Sequence, residues 1–113
     1  MDWWRIKWNY HCLFGIANLI HIKEGNKKSS IEIQENFILG FCEVKASDGI
    51  GSTFLVPFKR SPENFFTFSI TNGSTTRGNL KFEGNTLTAQ VRDNLNNAKI
   101  NEFLIYTVIL FVN

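Results

Sequence analysis

Apolar and polar side chains alternate along the opening of the chain. Trp4, Ile6, Trp8, Tyr10, Cys12 and Phe14 form one set; Arg5, Lys7, Asn9 and His11 form the other. Successive side chains of an extended strand point to opposite faces, so this period of two predicts a long, half-buried strand over 2–15 with its aromatics inward. The period returns over 16–23, where Ile20 and Ile22 alternate with His21 and Lys23, and over 30–34. Residues 52–58 set Phe54, Val56 and Phe58 in phase, and 65–71 set Phe66, Phe68 and Ile70 against Thr67, Ser69 and Thr71. Two segments are apolar on both parities. Over 37–45, Phe37, Leu39 and Phe41 lie on one side and Ile38, Cys42 and Val44 on the other; 100–112 is apolar throughout. Such two-sided strands are central and covered on both faces, or bury one face against another subunit.

Turn chemistry punctuates these runs. Residues 24–28 predict a turn in which Gly25 and Asn26 take positive φ, and Gly84-Asn85 predicts a two-residue hairpin loop. That loop pairs Glu83 with Thr86, Phe82 with Leu87 and Leu80 with Ala89, which keeps the apolar side chains on one face. Residues 46–51, 59–64, 72–78 and 92–99 are expected to be loops, the last with a short helical turn. Pro57 cannot donate to a ladder, which puts its strand at an edge or at its end. The sum is about eight strands with turn signals every ten residues or so and no amphipathic helix. The expected fold is all-β: an antiparallel β-sandwich or jelly-roll/barrel, forming a single domain over 1–113, whether the whole protein or a C-terminal fragment of a longer chain.

Composition agrees with that reading. Eleven Phe, three Trp and many Ile and Val carry the apolar 43 %, while Met and Ala are scarce. The formal charge of +2 is scattered, with no basic cluster of the kind that reads nucleic acid. Lys27-Lys28 and Lys59-Arg60 read as solvated turn tips. The cysteines, Cys12 and Cys42, belong to no Cys-x-x-Cys motif; each sits in an apolar stretch and reads as a buried thiol, while a disulfide between them would need an oxidising compartment. Residues 12–20 lack the cleavage site of a signal peptide, and the apolar run at 103–112 is too short to span a bilayer as a helix. The expectation is a protein with no membrane insertion.

Candidate chemistry is sparse. Glu32 and Glu35 are the nearest carboxylate pair away from a turn glycine, and they read as surface charge. No Gly-x-Ser-x-Gly elbow is present. His11 and His21 could face each other across paired strands, but a metal would lack a third ligand beyond guesses at Asp48 or Glu24. Asp48-Gly49-Ile50-Gly51-Ser52 leads into a strand, not a helix, so it is no phosphate cradle. These absences lead to the expectation of a non-enzymatic protein without cofactor or metal. Binding remains: asparagine-rich loops offer donors and acceptors, and the off-parity Trp3 is the indole best placed for exposure. The candidate binding residues are Trp3, Asn72, Arg77 and Asn94.

The opening Trp4-Arg5-Ile6-Lys7-Trp8, followed by Cys12-Leu13-Phe14-Gly15, resembles the start of the distal receptor-binding domains of bacteriophage tail fibres. The segment Leu55-Val56-Pro57-Phe58-Lys59-Arg60-Ser61-Pro62 is similar to their proline-phenylalanine stretch, and the apolar final strand is similar to theirs. The resemblance implies a trimeric β-structured tip, at the virion or in the extracellular space, that recognises a host-surface glycan or protein. It carries over no binding residues. The alternative reading is a monomeric β-barrel carrier whose inward aromatics line a cavity for a small apolar ligand.

Overall fold

The computed structural model describes residues 20–47, 53–61, 63–70 and 74–112. The aromatic segment over 2–15, with Trp3 and Cys12, lies outside the described residues, as do Asp48 and Asn72. The described chain is all-β, with eight strands: β1 (Ile20–Lys28), β2 (Ser30–Glu32), β3 (Phe37–Ala46), β4 (Phe54–Phe58), β5 (Glu63–Ile70), β6 (Ser74–Glu83), β7 (Thr86–Leu95) and β8 (Phe103–Val112). They form two four-stranded antiparallel sheets, ordered β1-β8-β3-β4 and β2-β7-β6-β5, packed as a sandwich. The chain changes sheet at Ser29, between β2 and β3, between β4 and β5, and after β7; β8 then inserts between β1 and β3. Pro57 lies on β4, an edge strand, where its missing N–H costs no ladder bond.

The core lies between the sheets. Cys42, Val44, Val56 and Phe58 from one sheet's inner side meet Leu80, Leu87 and Ala89 from the other, with Ile33 and Ile100 sealing the connections. Two groups of rings fill its ends. Phe37, Phe58 and Phe82 pack with centroids 5.3 to 6.2 Å apart, and Phe66 lies 5.5 Å from Phe103. The interior is occupied by side chains, and the two sheets are not joined by hydrogen bonds into one barrel among the described residues.

Strand β8 buries both of its parities in turn. Phe103 and Ile105 point inward, and so do Val108, Leu110 and Val112. The switch is a β-bulge: Glu43 faces Thr107 and Val44 faces Ile105, leaving Tyr106 as the extra residue. A bulge adds one residue to one strand and reverses the alternation beyond it. Strand β3 does the same at its start. Ile38 is the extra residue between Phe37 and Leu39, so Phe37 joins the core and Ile38 is 58 % exposed. Ile38 therefore does not share a face with Cys42 and Val44, as strict alternation predicted.

Other boundaries also move. Residues 24–28 are not a chain reversal; β1 runs through them and bulges between Glu24 and Lys28. Positive φ falls on Asn26 (57°) and Lys27 (56°), not on Gly25. Gly25 is needed for close approach, since a Cβ there would lie 2.3 Å from the Ile105 carbonyl oxygen. Residues 74–78 belong to β6, not to a loop. Thr76 is fully buried, and its hydroxyl donates to Asn94 Oδ1 at 2.6 Å. Gly78 makes room for the Phe103 ring, 2.4 Å from where a Cβ would stand. Strand β7 likewise continues to Leu95, and no helical turn follows. Asn96 and Asn97, both at positive φ, turn the chain with Ala98 N donating to Leu95 O at 3.1 Å. The Gly84-Asn85 hairpin has the predicted register throughout, with positive φ at Gly84 alone, the type II′ pattern.

The outer face of the β1-β8-β3-β4 sheet carries two apolar rows. One runs Ile20, Phe111, Leu39; the next runs Ile22, Ile109, Phe41, Pro57. A third row is polar except at its end: Glu24, Thr107, Glu43, Leu55.

Arg60 is exposed at its turn, as expected, yet it is engaged there. Its guanidinium stacks 4.6 Å from the Phe82 ring centroid and 5.1 Å from that of Phe37. Nη1 donates to Gly84 O and Asn85 Oδ1, each at 3.2 Å, and Nη2 donates to Ile33 O at 3.2 Å and Glu35 O at 2.9 Å. One side chain thus ties the β4–β5 connection to the β6–β7 turn and to the β2–β3 connection. Two ring contacts and four hydrogen bonds predict that Arg60→Ala lowers unfolding free energy by about 2 kcal/mol. Arg60→Lys, which keeps the charge without the planar fork, is expected to recover less than half of that in urea titrations.

Candidate functional site

Among the described residues, two surface grooves hold polar side chains in number. The first, about 440 Å³, lies at the open seam where β1 of one sheet nears β2 of the other, and is lined by Lys23, Glu32, Gln34 and Glu35. Two of its charges, Lys23 and Glu35, are already paired. Lys23 Nζ donates to both Glu35 oxygens, at 3.1 and 3.0 Å, and His21 Nδ1 lies 3.9 Å from Glu35 Oε2. Partial burial pushes the Glu35 carboxyl up, but the Lys23 hydrogen bond, a backbone hydrogen bond and the charges of Lys23 and His21 outweigh it and hold it below the ordinary carboxylate range. The cluster is a clasp across the sandwich seam. Glu32 and Glu35, the nearest carboxylate pair by sequence, do line one groove, but Glu35 is committed to Lys23.

The second groove, about 370 Å³, is lined by Glu24, Asn26, Lys27, Tyr106 and Thr107. It is built by two bulges meeting side by side. Glu24 pairs with Thr107 and Lys28 with Ile105, so the extra residues of β1 lie opposite the extra residue of β8, Tyr106. Bulges re-aim side chains that regular strands would hold in line. Here they bring forward a phenol, an amide and an ammonium, with Glu24 and Thr107 on the polar row beside them. Lys27 Nζ lies 5.6 Å from the Tyr106 ring centroid, on a flexible stem. Asn26 and Lys27 hold left-handed backbone without glycine's freedom, a conformation that costs of order 1–2 kcal/mol per residue. Tight packing of Gly25 on Ile105 fixes that geometry.

The groove mixes one acid, one base, one amide, two hydroxyl groups and a ring face. A single-sign lining would suit a metal ion or a phosphate. This lining suits a neutral ligand rich in hydroxyls, which needs donors and acceptors together and an aromatic surface for its C–H face. Among the described residues, no three His, Cys, Asp or Glu side chains gather as a metal site.

Of the residues singled out from sequence, the two that are described lie elsewhere. Arg77 and Asn94 sit at the far end of the β6–β7 pair with their polar groups engaged. Arg77 Nε donates to Asp93 Oδ1 at 2.8 Å, Nη2 bonds Asp93 Oδ2, and the pairing holds the Asp93 carboxyl below its usual range and raises Arg77. Asn94 Nδ2 donates to Ile100 O at 3.1 Å, and its Oδ1 accepts from Ile100 N at 3.1 Å and from Thr76. Trp3 and Asn72 lie outside the described residues; Arg77 and Asn94 are not brought to the groove. Cys42 is a free, buried thiol; burial, then the Glu43 charge, push its pKa up to about 12, which leaves it inert. The groove's signal in sequence was the Glu24-Gly25-Asn26-Lys27 stretch, taken there for a turn, and an out-of-phase tyrosine in an apolar strand. No family model, characterised protein or solved structure matches the chain.

The Glu35 clasp sets a pH dependence. A carboxyl whose pKa is lower folded than unfolded adds stability above the unfolded value and loses it as pH falls through the folded one. Glu35→Gln is therefore expected to cost less than about 1 kcal/mol at neutral pH, as for a partly exposed ion pair, and to flatten the loss of stability below the ordinary carboxylate range. Urea midpoints measured from neutral to acid pH check both.

Proposed function

We propose that this protein is a non-enzymatic recognition module that binds a hydroxyl-rich saccharide in the Tyr106 groove, as a tail-fibre tip binds a host-surface glycan. The observation that carries it is the meeting of two bulges that bring Tyr106, Asn26 and Lys27 to one groove beside Glu24 and Thr107. Stacking of a sugar's C–H face on the ring displaces the Lys27 ammonium, which then donates to ring hydroxyls. Glu24 accepts from hydroxyls, and Asn26 both donates and accepts. Rigid bulges limit the ordering cost of binding. The resemblance of Leu55–Pro62 and of the apolar last strand to fibre tips supports the same class. The barrel-carrier reading has less support, because the rings that would line its cavity pack on one another.

A glycan array with the full chain tests the proposal, followed by titration of the strongest ligand. Tyr106→Phe keeps the stacking face and is expected to bind within a few-fold of the parent. Tyr106→Ala is expected to lose affinity by tenfold or more, the equivalent of about 1.4 kcal/mol. Equal binding by both variants, with unchanged unfolding midpoints, would rule the groove out.

A further inference from the structure

Among the described residues the two sheets end in four edge strands: β1 and β4 in one, β2 and β5 in the other. An edge strand shows a row of unpaired N–H and C=O groups, and proteins block such rows with bulges, lysines, prolines or short strands. Three of the four edges are blocked. β1 bulges and carries Lys23, Lys27 and Lys28. β2 is three residues long. β4 is five residues long and holds Pro57. β5 has none of these devices. Its eight residues pair with β6 one for one, from Glu63 opposite Lys81 to Ile70 opposite Ser74, without a bulge. It contains no lysine, arginine or proline, and its one charged residue, Glu63, stands at its start. We propose that the β5 edge takes up an extended segment of a separate polypeptide as a fifth strand of the β2-β7-β6-β5 sheet. The inference goes beyond saccharide recognition and does not depend on it.

The chemistry of the edge names the class of its occupant. Donors and acceptors that alternate at main-chain spacing are matched by another main chain. In an antiparallel ladder every second residue turns both its N–H and its C=O away from its partner strand. On β5 that is about four residues, over an edge of roughly 26 Å. Side chains set the phase of the incoming strand. Phe66 is half-buried at the margin of the core, its ring 5.5 Å from that of Phe103. Apolar side chains on that face of the new strand would cover Phe66 and extend the core; Thr67, exposed on the other face, suits polar ones. Two nearer occupants fit less well. Residues before Ile20 join the fold at β1, which lies beside β2, on the opposite side of the sandwich from β4 and β5. A second copy would bring its whole sandwich, setting its β4 against this β4. Pro57 has no N–H to pair there, so strand-edge groups would face each other unbonded. One added strand leaves β4 in water.

The experiment is amide hydrogen exchange of the full chain, alone and with a capped peptide of four threonine–valine repeats flanked by lysines. In the chain alone, every second β5 amide is expected to be protected by its bond to β6, and those between to exchange freely. With the peptide in excess, the free set is expected to slow by about tenfold or more, while the amides of the Tyr106 groove keep their rates. Two further peptides carry N-methyl groups on every threonine amide or on every valine amide. Only alternate amides of a strand can face β5, so one of the two is expected to lose the protection and the other to keep it within a few-fold. Protection of every β5 amide in the chain alone overturns the proposal, because the edge is then already covered; protection that grows with chain concentration overturns it in favour of a second copy. Exchange unchanged by the peptide, or equal protection by both methylated peptides, overturns it as well. Glycan binding is scored separately, so failure of either reading leaves the other intact.

Discussion

One extra residue in β8 governs much of this structure. Without Tyr106 as a bulge, strict alternation would put either Phe103 and Ile105 or Val108, Leu110 and Val112 on the outside. Both groups are core, and together they supply a third of the fifteen buried apolar side chains among the described residues. At roughly 1.5–3 kcal/mol for each large apolar side chain buried, turning either group outward would cost several kcal/mol, a large share of the net stability of an ordinary domain. The register switch is thus enforced by the core on both sides of it, and the cost of the irregular backbone is met there. That enforcement holds Tyr106 out of line and fixes it opposite the β1 bulge.

The second organising device is Arg60, at the other end of the sandwich. Phe37, Phe58 and Phe82 leave ring faces at the boundary of the core, and the guanidinium covers two of them while satisfying carbonyls of connections that have no ladder of their own. Phe37 reaches this cluster only because Ile38 bulges out. Both ends of the sandwich therefore depend on a bulge: one admits a ring to the core, and the other projects a ring to a groove.

The sequence made the fold class legible because strand periodicity survives in most segments, and the Gly84-Asn85 hairpin was legible to its register because turn type and apolar phase agree. The bulges were hidden for a physical reason. A parity switch in a strand that is apolar throughout leaves no mark on its hydrophobic pattern, so β8 read as two-sided when half of that apolarity is one face continued after a switch. What remains two-sided, Leu39, Phe41, Ile109 and Phe111, is the true outer apolar face. The loop expected at 72–78 failed for another reason. Thr75, Thr76 and Gly78 look like turn residues, yet the threonines suit a strand and the glycine is required by the Phe103 ring. Arg77 and Asn94 looked available because sequence shows polar groups but not their partners, Asp93, Thr76 and Ile100. The groove was illegible because its parts, 24–27 and 106–107, are joined only by the β1–β8 register.

The central claim is that two facing bulges form a recognition groove. Amide chemical-shift mapping of the isotopically labelled full chain, titrated with the tightest glycan from the array, tests it most directly. The account predicts shifts confined to Glu24 through Lys27, Tyr106, Thr107 and their ladder neighbours. Shifts centred on the Lys23–Glu35 seam or on the Arg77–Asn94 end, with the bulges unmoved, would contradict it.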